Sequence, residues 1–333
     1  MSRYDNLIAG IQQGNFVVIG RAGMDMFPHP PGSKTEEAVD LKAALGGSAA
    51  NTAAGICKFG GKASLVTSVS DDSIGRYCLN QLDFYGVNRD HVKSVGGEYR
   101  NSLAVYESRV EDHQTVIYRN GAADFQMSEA DVSEVDFSTY GALITAGTVF
   151  AAEPSRTAAF KGFELANAAS IPIIFDVDYR PYSWPSPQVA EEVLSRAASQ
   201  CDMIVGNDEE FGFMAGGMDN GLAKAKSLST ENDATVIYKM GSEGAITFAN
   251  GEEFHSGIYK VDALKPTGAG DSFMAGLMAS IADGFELKQA ILRGSACAAI
   301  TVSKAGCAPA MPTPIELEDF LKTHPGQSAR KDS

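Results

Sequence analysis

The chain has 333 residues, 44% hydrophobic and 21% charged, an ordinary globular composition that is long enough to bury a large core as one big domain or two. Its formal net charge of −15 argues against a nucleic-acid-binding surface and against attraction to anionic membranes, so any anionic ligand must be met by a local cluster of Arg, Lys or backbone N–H groups. The cysteines Cys57, Cys78, Cys201, Cys297 and Cys307 form no C-x-x-C pair and are odd in number, which argues against a zinc site and a disulfide framework and fits a reducing cytoplasm.

The polar N-terminal segment lacks the apolar core of a signal peptide, and no apolar run approaches a membrane span, so the expected location is cytoplasmic. Residues 16–19 form a short apolar run ending at Gly20, the signal of a buried strand. Asp25 lies just past that strand end, either as a turn residue or as a side chain reaching into a ligand crevice. Pro28, Pro30 and Pro31 predict a loop from residue 27 to 32. Gly46, Gly47 and the small residues up to Asn51 lead into a predicted helix over 49–59. Gly61-Lys62 resembles the end of a P-loop, but Ile56 and Ala63 stand where Gly and Ser or Thr are needed, so that signature is absent. A strand is expected at 63–69, a helix at 74–85, and an antiparallel hairpin from 103–108 and 115–119. After residue 138, apolar strands at 142–146, 172–177, 203–206 and 235–239 alternate with helices at 155–169, 189–198 and 222–228. This βαβ alternation predicts a mostly parallel sheet. A second hairpin at 245–249 and 253–259 follows, with closing helices near 287–304 and 314–321. With no repeat and no low-complexity linker, the expectation is a single α/β domain over 1–325, with a small antiparallel appendage and a disordered tail at 326–333.

The densest signal is Lys265-Pro266-Thr267-Gly268-Ala269-Gly270-Asp271-Ser272-Phe273. Its first half reads as a loop. From Ser272, apolar Phe273, Leu277 and Ile281 recur at helical spacing beside Met274 and Met278, and Gly284 ends the pattern. A glycine loop feeding a buried helix N-terminus offers backbone N–H groups and the positive end of the helix dipole to an anion, usually phosphate. Asp271 then has two readings. It is a favoured N-cap type, although Met274 rather than Glu or Gln occupies the capping-box position. Alternatively it is a general base that accepts the proton of a substrate hydroxyl during phosphoryl transfer.

Asp176-Val177-Asp178-Tyr179-Arg180, Asn207-Asp208-Glu209-Glu210 and Lys239-Met240-Gly241-Ser242-Glu243-Gly244 each follow a buried strand, and a parallel sheet gathers such ends along one edge. Asp208 reads as a helix cap, and Glu210 as the candidate to hold Mg²⁺, directly or through water. Arg119 and Arg180 are the candidates to clamp a carboxylate, since guanidinium forks onto it bidentately; a surface ion pair is the alternative for each. None of the five histidines, all in loops or polar turns, reads as catalytic.

GGSAAN at 46–51, N-x-x-E at 207–210 and TGAGD at 267–271 resemble the ribokinase-like carbohydrate kinases of the phosphofructokinase-B type, in order and over nearly the whole chain. TGAGD before an apolar helix is the specific motif; the other two support it. FDVDYRPYSW at 175–184, GCAPAMPTPIELEDFL at 306–321 and YRNGAAD at 118–124 are similar to the branch of that family that phosphorylates 5-dehydro-2-deoxygluconate in myo-inositol breakdown. The resemblance implies a doubly wound α/β fold, a mostly parallel sheet with helices on both faces, and a small antiparallel β lid from about 26–45 and 99–122. It implies transfer of the γ-phosphoryl group of ATP, with Mg²⁺, to the terminal hydroxyl of that sugar acid. By the same resemblance Asp271 is the base and the N–H groups of Gly268, Ala269 and Gly270 form the anion hole. Asp25, Gly47 and Asn51 match positions that hold sugar hydroxyls, and Arg119 and Arg180 fall near the acid end. Thr267, Asn207, Lys239, Gly241, Gly244 and Ser303 fall on the nucleotide side. Relatives usually carry Asp-Thr-Thr before GAGD, and that Asp helps build a monovalent-cation site. Here Lys265 and Pro266 replace the first two, and the expectation is that the Lys265 ammonium replaces the cation's charge. Ser295 stands where relatives usually have Asn. Two other readings remain at this point: a kinase of the same fold acting on 2-keto-3-deoxygluconate or fructose, and a nucleotide- or sugar-binding regulator without turnover. The lid edge is the candidate surface for a homodimer.

Overall fold

The computed structural model describes residues 2–324, and the tail expected at 326–333 lies outside them. In chain order the elements are α1 (Arg3–Gln12), β1 (Asn15–Ile19), β2 (Gly23–His29), β3 (Asp40–Gly46), α2 (Ser48–Lys58), β4 (Lys62–Ser70), α3 (Ser73–Tyr85), β5 (Val92–Val95), β6 (Ser102–Tyr106) and β7 (Thr115–Tyr118). There follow α4 (Glu129–Ser133), β8 (Ala142–Ala146), α5 (Ser155–Ala168), β9 (Ile173–Asp176), α6 (Pro187–Ala198), β10 (Met203–Asn207), α7 (Asp208–Met214) and α8 (Gly221–Asn232). The chain closes with β11 (Thr235–Lys239), β12 (Ala245–Ala249), β13 (Glu252–Ser256), α9 (Ala269–Ala282), α10 (Leu287–Val302) and α11 (Pro314–Thr323). These elements form two units: the chain up to Ile19 with Ser128–Ile258, and Gly20–Met127 with Tyr259 onward.

In the first unit the strands lie in the order β13-β12-β11-β10-β9-β8-β1. From β1 to β11 every pairing is parallel, whereas β11–β12 and β12–β13 are antiparallel. The parallel strands are apolar on both faces, as strands buried on two sides must be, and β8 and β9 are buried at every position. Phe160 and Phe163 of α5 gather with Phe150 and Phe175, ring centroids 4.9 to 6.0 Å apart, tying that helix to the sheet. The register sets Asp176 opposite Val205 and Asn207 opposite Lys239, so the polar strand ends share one edge.

The second unit holds the parallel pair β4–β5 and a four-stranded sheet in the order β3-β2-β6-β7. The small sheet is antiparallel at its two outer pairings and parallel between β2 and β6. Phe27 stacks on Tyr106 at 6.0 Å, and Ala44, Ala104 and Cys307 complete that core. Beside it, α9 packs against both α2 and α10. Its residues from Ser272 to Ile281 are all buried. Small residues permit this closeness: a Cβ on Gly276 would lie 2.5 Å from Cys297 Sγ, and one on Gly55 2.5 Å from the Ala275 Cβ.

The α/β class, the mostly parallel sheet and the small extra sheet agree with the sequence reading. Two local expectations need correction, and two elements were not anticipated. Residues 27–29 end strand β2 rather than open a loop; pairing with β6 stops at Met26, so Pro28 withholds no N–H from that side. Helix α9 begins at Ala269, earlier than the apolar periodicity shows, because Gly268 rather than a later residue is its N-cap. The short mixed strand β5 and the helix α1, held by a Ser2–Asp5 capping box, carry too little apolar pattern to be read in advance.

Candidate active site

In the second unit the reactive cluster is built at the start of α9. Gly268, the N-cap, has φ +83°, a left-handed conformation that glycine adopts without a steric penalty. The cap makes no side-chain hydrogen bond, and the N–H groups of Ala269 and Gly270, the first two helical residues, have no intrahelical acceptor. Asp271 is the third helical residue and therefore not the N-cap, which removes the capping interpretation of this carboxylate. Its Oδ2 accepts a hydrogen bond from Asn51 Nδ2 at 2.9 Å. Asn51 is only 3% exposed, and its Oδ1 is buried without a hydrogen-bond partner, an acceptor left for a hydroxyl donor. Asn51 is placed by the first turn of α2, where its backbone N–H donates to the carbonyl of Gly47, the N-cap of that helix, at 2.8 Å.

Asp25 lies within β2, not in a turn, and is 3% exposed. Its carboxylate lies directly across Gly46: a Cβ there would fall 2.0 Å from Oδ1. Burial pushes the Asp25 pKa up from 3.8 to about 7; Arg21 opposes this, Asp271 adds to it, and the Cys307 thiol and Lys265 lower it. Lys265 is fully buried, and its Nζ donates to the carbonyl of Thr267. Burial lowers its pKa, against the pull of Cys307, Asp271 and Asp25. Cys307, buried beside Gly268, has its thiol pKa pushed well above the usual range by burial first and Asp25 second. Lys58 holds the segment that carries it, donating to the carbonyls of Ala308 and Met311. Ser303 is the C-cap of α10, and its Oγ donates to Ile300 O at 2.8 Å.

Arg119 has a different setting from the one expected of an open clamp. It is 6% exposed, pairs with Asp124 through Nε at 3.1 Å and Nη2 at 2.5 Å, and lies over the Phe125 ring at 4.0 Å. Both partners are buried, so the pair braces its own loop.

In the first unit a second cluster occupies the strand ends. Asn207 is the N-cap of α7, and Glu210 completes a reciprocal capping box, each side chain bonding the other's backbone N–H at 2.8 Å. The cap is thus Asn207 and not Asp208. Glu210 Oε1 also accepts from Tyr179 N at 3.3 Å. Burial raises the Glu210 pKa, opposed first by Lys239, whose position on β11 is opposite Asn207. Arg180 pairs with the buried Asp178 at 2.7 Å while its own side chain stays 47% exposed. Gly241 and Gly244 bound the tight turn after β11, where a Cβ on Gly244 would fall 2.0 Å from Ser256 O. Trp184 is buried, with the Arg156 guanidinium 5.8 Å from its ring.

Sequence reasoning missed Arg21, Gly46, Asp124 and Cys307. Gly46 had a signal, the Gly-Gly pair; Asp124 pairs with Arg119 five residues away without a periodic pattern, and Arg21 and Cys307 show themselves only through their action on Asp25. Among the described residues no group of three or more His, Cys, Asp or Glu side chains could hold a metal, and no helix is long and apolar enough to cross a membrane.

Residues 13–314 match the pfkB family of carbohydrate kinases. A protein of Photobacterium profundum named 5-dehydro-2-deoxygluconokinase is 35% identical over 312 residues, covering 92% of this chain and 94% of its own. Among solved structures, a putative ribokinase II of E. coli in complex with ATP and Mg²⁺ aligns with a TM-score of 0.81 at 20% identity, over 93% of this chain and 99% of its own. A double mutant of Vibrio cholerae fructokinase, with fructose, ADP and potassium ion bound, aligns with a TM-score of 0.80 at 21% identity, over 92% and 98%. The chain belongs to the pfkB family of carbohydrate kinases.

Proposed function

We propose that this sugar kinase transfers the γ-phosphoryl group of ATP to the terminal hydroxyl of 5-dehydro-2-deoxy-D-gluconate, in the breakdown of myo-inositol. The observation that carries the reaction type is Asp271 in the first turn of a glycine-capped, buried helix, with Asn51 fixing its carboxylate at 2.9 Å. The choice of substrate is supported by the names of the curated relatives.

Asp271 takes the proton of the substrate hydroxyl as the new O–P bond forms and the bond to the departing ADP breaks. The N–H groups of Gly268, Ala269 and Gly270 stabilise the charge that gathers on the transferred phosphoryl oxygens. Asp25, Asn51 and Gly47 line the sugar, with the vacant Asn51 Oδ1 and the Asp25 carboxylate accepting from its hydroxyls. Both arginines pair with an Asp, but Arg180 is the stronger proposal for the acid end because its side chain is half-exposed while that of Arg119 is buried. Thr267, Asn207, Lys239, Gly241, Gly244 and Ser303 are proposed for the nucleotide. Mg²⁺, arriving with ATP, supplies charge neutralisation at the phosphates. Glu210 suits a water-mediated contact to it, since both carboxylate oxygens already accept backbone N–H groups. The apolar residues left exposed on the small sheet, Leu41, Val116 and Tyr118, with Val39 just before β3, are the proposed surface for a homodimer. The proposed setting is the cytoplasm.

The test is ADP release with Mg·ATP on 5-dehydro-2-deoxygluconate, 2-keto-3-deoxygluconate, fructose and ribose. The expected result is the highest kcat/KM on the first. Preference for another sugar overturns the substrate and keeps the kinase; no turnover on any, with ATP still bound, points to a regulator.

A further inference from the structure

Lys265 is a charge that neither the sugar nor the nucleotide accounts for. It is 0% exposed, and among the described residues it is the one charged residue in the set of largest fully buried side chains. Taking an ammonium out of water is costly unless something holds it. Here the Nζ donates to the Thr267 carbonyl, at the root of the anion loop. Backbone bonds from Leu264 N at 2.8 Å and Lys265 N at 3.2 Å to Val302 O fix the stem from which it reaches. Asp25, Asp271 and Cys307 all act on its charge. The family resemblance implies a monovalent cation served by an Asp at this position, and the aligned fructokinase holds a potassium ion. The residues here do not fit such an ion. A lysine stands where the resemblance puts that Asp, so a cation brought there would meet a positive charge in place of a carboxylate, and the ammonium already takes a loop carbonyl.

Building on the kinase activity proposed above, we infer that the Lys265 ammonium is a tethered internal cation, which holds the Thr267 carbonyl and so aims the Ala269 and Gly270 N–H groups, making the reaction independent of added K⁺. A cation built into the chain is present at full occupancy whatever the ionic composition of the solution. It also offsets two neighbouring carboxylates, Asp25 and Asp271, which would otherwise resist being ionised together. Lys265 touches neither substrate in this arrangement. It is a positioning residue that works through the loop.

The test compares rates in choline chloride and potassium chloride. Wild-type kcat is expected to change less than about 2-fold, and a several-fold rise with K⁺ overturns the inference. Lys265→Met keeps the length and apolar stem and removes the charge. It should lower kcat about 30-fold with little change in KM for ATP, and a variant as fast as wild type overturns the inference. In Lys265→Ala, K⁺ or methylammonium should restore about 10-fold of the lost rate and raise the melting temperature, while the wild-type melting temperature stays unmoved by K⁺. If the substituted chains do not fold, the wild-type comparison decides alone. If no sugar is phosphorylated, the proposed kinase activity fails separately, and the melting temperatures decide: equal stabilisation of wild type and Lys265→Ala by K⁺ overturns the tethered cation.

Discussion

Gly46→Ala displaces Asp25 while leaving the backbone unstrained, because Gly46 does not occupy the left-handed region. The new methyl would lie 2.0 Å from Asp25 Oδ1, 2.4 Å from Cγ and 2.9 Å from Oδ2. The carboxylate must therefore retreat by at least about 1 Å to reach any real contact distance. A charged hydrogen bond lost at that group is worth about 2 kcal/mol, or roughly 30-fold in kcat/KM for the sugar. Overpacking adds about 1–3 kcal/mol of destabilisation, seen as a lower melting temperature. The assay is kcat/KM for the sugar acid at saturating ATP, in the wild-type and Asp25→Ala backgrounds. If the methyl acts through Asp25, Gly46→Ala costs less than about 2-fold once Asp25 is already alanine. Gly46→Ala within about 3-fold of wild type, or an equal loss in both backgrounds, would refute the reasoning.

Asp25 also predicts a pH dependence. Its folded pKa of about 7 lies above its ordinary 3.8, so its contribution to stability is full below 3.8 and fades as pH rises through 7. Asp25→Asn should therefore melt above wild type at pH 8 and lose that advantage toward pH 4, while wild-type kcat/KM should climb through pH 7 as the carboxylate ionises; thermal melts and a pH–rate profile check both. Glu210→Gln keeps a capping-box residue and removes the buried charge. Its melting temperature should fall little, and the Mg²⁺ concentration for half-maximal rate should rise several-fold; an unchanged Mg²⁺ titration would leave Glu210 a cap alone. Arg119→Ala strands the buried Asp124 and should cost about 3–5 kcal/mol in denaturant unfolding, with Arg119→Ala/Asp124→Ala losing less than the sum of the single changes.

The parallel strands were legible because each is a short apolar run bounded by polar or glycine residues, as at 142–146 and 203–206. The anion loop was legible because glycines and Asp271 stand directly before an apolar helix. The N-cap was not, since nothing local decides whether Gly268 or a residue nearer Ser272 starts that helix. Pro28 suggested a loop because a proline's missing N–H is read without knowing which strand edge faces it. Glu210 was read for its charge, whereas its bonds to Asn207 N and Tyr179 N join a helix start to a separate strand end. For Arg119 a carboxylate clamp and a surface ion pair were both open; the pair with Asp124, five residues on, is buried, and no periodic signal shows that. Lys265 stood out as a departure from a motif, but its complete burial came only with the tertiary contacts around Asp25 and Cys307.

The most direct measurement is the turnover of Asp271→Asn with Mg·ATP and 5-dehydro-2-deoxygluconate, alongside its affinity for ATP. The substitution preserves shape at the third residue of α9 and removes the proton acceptor. A fall in kcat of about 10³-fold or more, with ATP affinity within about 3-fold of wild type, is the predicted result. A variant that keeps kcat within about 10-fold of wild type would contradict the role of Asp271 as the base.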